Sequence, residues 1–201
     1  MTTLRATETH DTRESILAHG QRIMAGKGFS AVGINEVLSA AGVPKGSFYH
    51  YFGSKDAFGE ALLDSYFEEY LAELDATLTA PGLNMAQRLM NYWTFWKDNQ
   101  LFYDCQGKCL AVKLAAEVAD LSESMRRALM RGTTGIIERL ARAIEAGAAE
   151  GSLSIDSTPR EVATSLYQLW LGASVMVKIV RTPQPFENAL SVTRDTLHIR
   201  A

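Results

Sequence analysis

Apolar residues along this chain recur three and four positions apart, and the strict alternation of a half-buried strand is nearly absent, so the pattern predicts an all-α protein. A first helix is expected from Asp11, which can cap it with Glu14 three residues on, and the stripe Ile16, Gly20, Ile23 and Lys27 runs toward Gly26 and Gly28, which end it. A short second helix covers about 34–41, with Ile34, Val37, Leu38 and Ala41 on one face and Gly42 as its stop. Pro44 suits the first turn of a third helix reaching about Tyr51. After Gly53, Ser54 caps a long fourth helix to about Leu78. It carries Phe58, Leu62, Tyr66, Tyr70 and Leu74 at every fourth position and Leu63, Phe67 and Leu71 beside them. Two adjacent stripes imply contacts on two sides, as expected of a helix joining a small head to a larger body. Beyond the Ala80-Pro81-Gly82 turn, a fifth helix is expected over about 85–99, a loop over 103–107, and a sixth helix from Lys108 or Cys109. A seventh covers about 122–149, an eighth, capped by Ser157 or Thr158 and closed by Pro183 and Pro185, about 160–180, and a last one about 186–197, giving about nine helices.

The 201 residues suffice for one large domain or two smaller ones sharing an interface. With 47% hydrophobic and 21% charged residues the composition is that of a soluble globular chain. No unbroken apolar run reaches about 18 residues, and the polar stretch 1–12 lacks the apolar core of a secretory signal, so no membrane association and a cytoplasmic location are expected. The two cysteines, Cys105 and Cys109, are too few for a disulfide scaffold and are read as free thiols. A net charge of -3 argues weakly against nucleic-acid binding, yet residues 41–55 hold Lys45 and Lys55 and no acid. A small basic face on an acidic protein still serves as a phosphate footprint, because only charges within about 8–10 Å of the DNA count strongly.

Two short helices separated by the Gly42-Val43 turn make a helix-turn-helix, whose second helix can enter a major groove roughly 12 Å wide. On its outer side, Lys45 can meet a phosphate or a guanine edge, Gly46 permits close backbone approach, and Ser47 can donate or accept at a base edge. Tyr49, His50 and Tyr51 supply short-reach phosphate contacts, Lys55 opens the next helix with a further charge, and Phe48 and Phe52 should point inward.

The run Gly28-Phe29, Ile34-Asn35-Glu36-Val37 and Ala41-Gly42-Val43-Pro44-Lys45-Gly46-Ser47-Phe48-Tyr49-His50-Tyr51-Phe52-Gly53-Ser54-Lys55 resembles the DNA-binding domain of the TetR family of repressors over about residues 11–60. The resemblance implies a TetR-like fold, with a DNA-binding domain at 1–55 and an effector-sensing and dimerisation domain at 56–201. The implied partners are double-stranded palindromic operator DNA, a second copy of the chain and an effector. It also places Lys45, Gly46, Ser47, Tyr49, His50, Tyr51 and Lys55 at the DNA surface. Gly33 stands where the family often has Ser or Thr, which leaves only a backbone N–H for a phosphate.

The same resemblance implies that the last two helices pair with their mates in a four-helix interface. Gly172, Ala173 and Ser174 are small residues in an otherwise bulky helix and suit close approach, with a buried monomeric core helix as the alternative. The second half further resembles the N-ethylmaleimide-responsive branch of the family, through 107–122 (Gly107-Lys108-Cys109-Leu110 onward), Leu169-Trp170-Leu171-Gly172-Ala173, Lys178-Ile179 and Pro185-Phe186-Glu187-Asn188-Ala189-Leu190. That implies a repressor switched by electrophiles or oxidants at Cys109, with Lys178 as a partner. Chemistry supports it: a thiol at a helix N-terminus near Lys108 and Lys113 is favoured as thiolate, the form that attacks electrophiles. The alternative is a small buried hydrophobe. Cys105 is either a resolving thiol or incidental. Trp93, Trp96, Tyr103 and Trp170 could instead line a pocket for a reversibly bound apolar or aromatic ligand. An enzyme needs a base near Cys109, but three of the four histidines fall in the first 50 residues. No phosphate-cradling loop, metal cluster or nucleophile elbow is present either, so no enzymatic activity, cofactor or metal is expected.

Overall fold

A computed structural model of the chain describes the backbone of residues 2–105 and 109–199, and the side chains of residues 12–101 and 109–199. Among the described residues there are nine helices and no strand: α1 (Thr2–Lys27), α2 (Ile34–Ala41), α3 (Lys45–Tyr51), α4 (Lys55–Leu78), α5 (Met85–Cys105), α6 (Leu110–Leu121), α7 (Glu123–Ala149), α8 (Pro159–Val180) and α9 (Gln184–Thr196). The all-α expectation holds. Two boundaries differ from the expected ones by more than two residues. α1 starts at Thr2 rather than Asp11, because nothing in 2–10 is Gly or Pro and a helix continues until something stops it. α5 runs to Cys105, through part of the expected loop, and the rest of that loop, 106–107, lies outside the described residues together with residue 108.

The local stop and start signals act as their chemistry dictates. Gly42 adopts φ +66°, a left-handed conformation costly for a residue with a Cβ, and its N–H returns to the Leu38 and Ser39 carbonyls. Ser54 Oγ accepts the Ala57 N–H at 3.0 Å at the head of α4. Thr158 forms a full capping box with Glu161 at the start of α8, so Thr158 rather than Ser157 is the cap. Pro185 belongs to the first turn of α9, where its missing N–H costs nothing.

The helices group into two compact units, 1–68 with 108–132, and 69–107 with 133–201. In the first, α2 packs on α1 and α3, α6 packs on α1, and the core is built from Ile16, Leu17, Met24, Val37, Leu38, Phe48, Phe52, Phe58, Leu62 and Leu63. In the second, α8 packs most extensively on α9, and both pack on α5. Its centre is a column of rings: Trp93 stacks on Trp170 at 4.8 Å, and Trp170 on Phe186 at 5.5 Å. By length and composition α8 is apolar enough to cross a membrane, although its polar residues interrupt the apolar run in the sequence. Val162, Leu166, Trp170 and Val177 on this helix are nevertheless buried within the chain.

Candidate nucleic-acid interface and sensing thiol

The aromatic run Phe48–Phe52 sorts its side chains by helical geometry. Phe48 and Phe52, four residues apart, turn inward and meet Phe58 of α4 at ring separations of 5.4 and 5.0 Å. Burial of each ring is worth about 1.5–3 kcal/mol, which fixes the short α3 by packing, since its N-cap Pro44 offers no side-chain cap. The opposite side of α3 is thereby turned to solvent. Lys45, Gly46, Tyr49 and His50 are exposed there, Tyr49 at 57%, and Ser47 and Tyr51 are half-buried at its edges. A Cβ built at Gly46 would meet nothing within 4 Å, so this face is open to a close-lying partner. Gly33, also exposed, is the N-cap of α2 in extended conformation without a side-chain cap. The structure thus brings Lys45, Gly46, Ser47, Tyr49, His50 and Tyr51 onto one short helix.

Lys55 is placed differently from a free phosphate-seeking cation. Its Nζ donates to the Phe29 carbonyl at 2.9 Å and lies 4.6 Å from the centre of the Phe29 ring, an intramolecular anchor with a cation–π component. Sequence pattern has no means of revealing this partner, 26 residues away.

Cys109 is the N-cap of α6, half-buried, and its thiol is free. The Tyr66 hydroxyl of α4 donates to its Sγ at 3.5 Å. Helix start, partial exposure and a hydrogen-bond donor therefore converge on one sulfur. The side chains of Cys105 and Tyr103 lie outside the described residues. Lys178 is half-buried in α8, in the second unit. Trp93, Trp96 and Trp170 come together as expected, but as rings packed on one another, with Trp96 Nε1 donating to Ser174 Oγ at 2.9 Å and Trp170 Nε1 to Thr193 Oγ1 at 3.0 Å.

A second exposed face lies on α8. Val175, Met176, Ile179 and Val180 stand 44–66% exposed, with Val192 of α9 at 46%. Gly172 is on the outside too, whereas Ala173 and Ser174, expected beside it at a helix–helix contact, are buried within the chain, because a step of about 100° per residue carries them inward.

Two family models match the chain: "Bacterial regulatory proteins, tetR family" over residues 16–62, and "Tetracyclin repressor-like, C-terminal domain" over residues 85–193. The chain belongs to the TetR family. It is 41% identical over 188 residues to the HTH-type transcriptional repressor NemR of Escherichia coli (strain K12), covering 94% of each protein. To the HTH-type transcriptional repressor DhaR of Mycobacterium sp. (strain GP1) it is 30% identical, covering 92% of this chain and 91% of that one. Among solved structures, the reduced form of E. coli NemR superposes with a TM-score of 0.90 at 41% identity, covering 96% of this chain and all of that one. In this TetR-family chain the first model spans the α2–α3 helix-turn-helix and the second contains Cys109, α8 and most of α9. The resemblance carried by the motifs is thus borne out over nearly the whole length.

One residue of the first unit has no signal in the sequence pattern although it stands within the 107–122 stretch. Glu117 of α6 accepts the backbone N–H groups of Phe29 at 3.0 Å and Ser30 at 2.7 Å. Partial burial pushes its carboxyl up, but the Ser30 hydroxyl, the two N–H donors and the charge of Lys113 outweigh this and hold it below the ordinary value of 4.5. No local pattern marks such a contact, which spans 87–88 residues of chain.

Proposed function

We propose that the chain is a dimeric transcriptional repressor that binds a palindromic operator through α3 and is released when an electrophile or oxidant modifies Cys109. The observation that carries this reading is the 41% identity to the NemR repressor across 94% of both proteins, together with a half-buried Cys109 at the start of α6. The solved E. coli NemR structure is of a reduced form, which supports a redox-responsive thiol. In this reading residues 1–55 bind DNA and residues 56–201 sense and dimerise. Lys45, Tyr49, His50, Tyr51 and Ser47 meet phosphates and base edges, Gly46 admits close approach, Gly33 offers a backbone N–H, and Lys55 steadies the loop at Phe29. The aliphatic stripe 175–180 of α8, with Val192, is the surface a second copy would cover, because an exposed apolar ridge of this size gains from burial.

With a maleimide the chemistry is an addition. The Cys109 thiolate forms an S–C bond, the C=C π-bond opens, and the resulting carbanion takes a proton from water, with no leaving group. The added bulk sits where the Tyr66 hydroxyl contacts the sulfur and favours an arrangement other than the DNA-bound one. The resemblance also offers Lys178 as a partner to Cys109, and Lys178→Ala tests it by the rate of thiol alkylation.

The experiment is binding of the purified protein to a labelled fragment of its own upstream region, at fixed salt, before and after maleimide, with Cys109→Ser in parallel. Tight binding lost on treatment in the wild type and retained in Cys109→Ser is the expected result. Binding indifferent to the reagent removes Cys109 from the switch.

A second reading, induction by a reversibly bound small apolar or aromatic molecule, draws on a separate observation. Among the described residues Trp93 Nε1 and Gln100 Oε1 are buried without hydrogen-bond partners, each a cost of about 1–3 kcal/mol that a ligand with a matching acceptor or donor would relieve. A rise in melting temperature with such compounds in Cys109→Ser, accompanied by operator release, would favour it.

A further inference from the structure

Operator recognition by α3 depends on how the α2–α3 pair is held, and the structure holds it at a loop outside the helix-turn-helix. Residues 28–33 join α1 to α2. On one side Lys55 pins this loop through the Phe29 carbonyl and ring, and Phe29 itself is buried. On another side Glu117 of α6 takes the two successive N–H groups of Phe29 and Ser30, one on each carboxylate oxygen. Successive N–H groups pointing the same way form an anion-binding concavity, and here the anion is the protein's own. Gly28 closes the arrangement. At φ +88° it turns the chain, and a Cβ there would lie 2.8 Å from Glu117 Oε2, so glycine gives the carboxylate room to enter.

We infer that Glu117 is a positioning residue for operator binding: through this carboxylate clamp α6 sets the pose in which α2 and α3 are offered to DNA. The inference deepens the repressor reading and rests on it. Charge-assisted hydrogen bonds to backbone are directional and strong, so they fix orientation where apolar packing alone permits sliding. Cys109 caps the same helix, eight residues before Glu117, roughly 12 Å along the axis. A shift of α6 begun at the thiol therefore arrives at the α1–α2 loop through the clamp.

The test uses the full-length protein and its labelled operator, plus variants of that operator with one or two base pairs inserted between the half-sites. Glu117→Gln keeps the shape and loses the charge and one acceptor. The expected result is weaker binding to the native spacing, a fall of about threefold or more in preference for native over altered spacing, and a smaller affinity ratio between untreated and maleimide-treated protein. Faster amide exchange at residues 29–30 should accompany it. Ser30→Ala, which removes only the hydroxyl contact, should move the same readouts less and covers the case in which Glu117→Gln folds poorly. A variant that lowers affinity for every spacing by one factor and keeps the wild-type release ratio has lost stability alone, and overturns the inference, as does a variant indistinguishable from wild type. Wild-type release that is absent while the spacing preference still falls in Glu117→Gln sinks Cys109 as trigger and leaves the clamp standing. A wild type that prefers no spacing overturns the clamp, whatever maleimide does to its affinity.

Discussion

α3 and α8 each present four exposed positions at the same helical spacing, and they present opposite chemistry. On α3 they are Lys45, Gly46, Tyr49 and His50; on α8, Val175, Met176, Ile179 and Val180. α3 is seven residues long, has no side-chain cap and is held by the burial of Phe48. α8 is 22 residues long and carries its own capping box. A face of charge, glycine and hydroxyl stays solvated when alone and can bind and release a polyanion. An aliphatic face gains only by staying covered. The same geometry thus suits a reversible contact in one place and, in the proposed dimer, a lasting one in the other, and composition alone separates them.

The largest effect is expected when α8 is given a charge, as on α3. Ile179→Asp sets a carboxylate in the middle of the aliphatic stripe. Sedimentation should show a monomer, and operator affinity should fall by about a hundredfold or more, as the two heads lose their linkage. An unchanged dimer would place the pairing surface elsewhere. Next in size are changes to α3 itself. Tyr49→Ala and Lys45→Ala should each weaken operator binding by about 1–3 kcal/mol per contact with no change in melting temperature, and Lys45→Ala should also reduce the salt slope by about one. Equal affinity in both variants removes α3 from the interface. Smaller again is Thr158→Ala, which takes the cap from α8 and should cost about 1 kcal/mol in urea unfolding while leaving DNA binding unchanged.

The smallest effect is a pH dependence in the loop between α1 and α2. The folded value of Glu117 is lowered, so its contribution is fully present above the ordinary carboxylate value of 4.5 and is lost as pH falls through the lowered folded one. The difference in melting temperature between wild type and Glu117→Gln should therefore be constant from neutral pH to about 5 and shrink at more acid pH. A difference that grows on acidification would mean the carboxyl is not clamped in its charged form.

Periodicity and local punctuation made the helices, the α2–α3 turn and the inward Phe48 and Phe52 legible in the chain, because 3.6 residues per turn, a left-handed Gly42 and a capping Thr158 act within a few residues of themselves. The family likeness was legible for the same reason, as it resides in short runs of fixed spacing. The unexpected extension of α1 shows the converse: a polar run without helix breakers carries no boundary signal.

An all-α regulator with a helix-turn-helix and a cysteine at a helix start can therefore be read from the chain alone. Packing of distant segments settled which small residues of α8 turn inward, that Lys55 pins Phe29, that Tyr66 reaches the Cys109 sulfur, and that Glu117 grips a loop 87–88 residues away. The physical reason is the range of the forces. Backbone geometry and capping are settled between near neighbours, whereas a hydrogen bond between distant residues exists only once packing has brought donor and acceptor within about 3 Å.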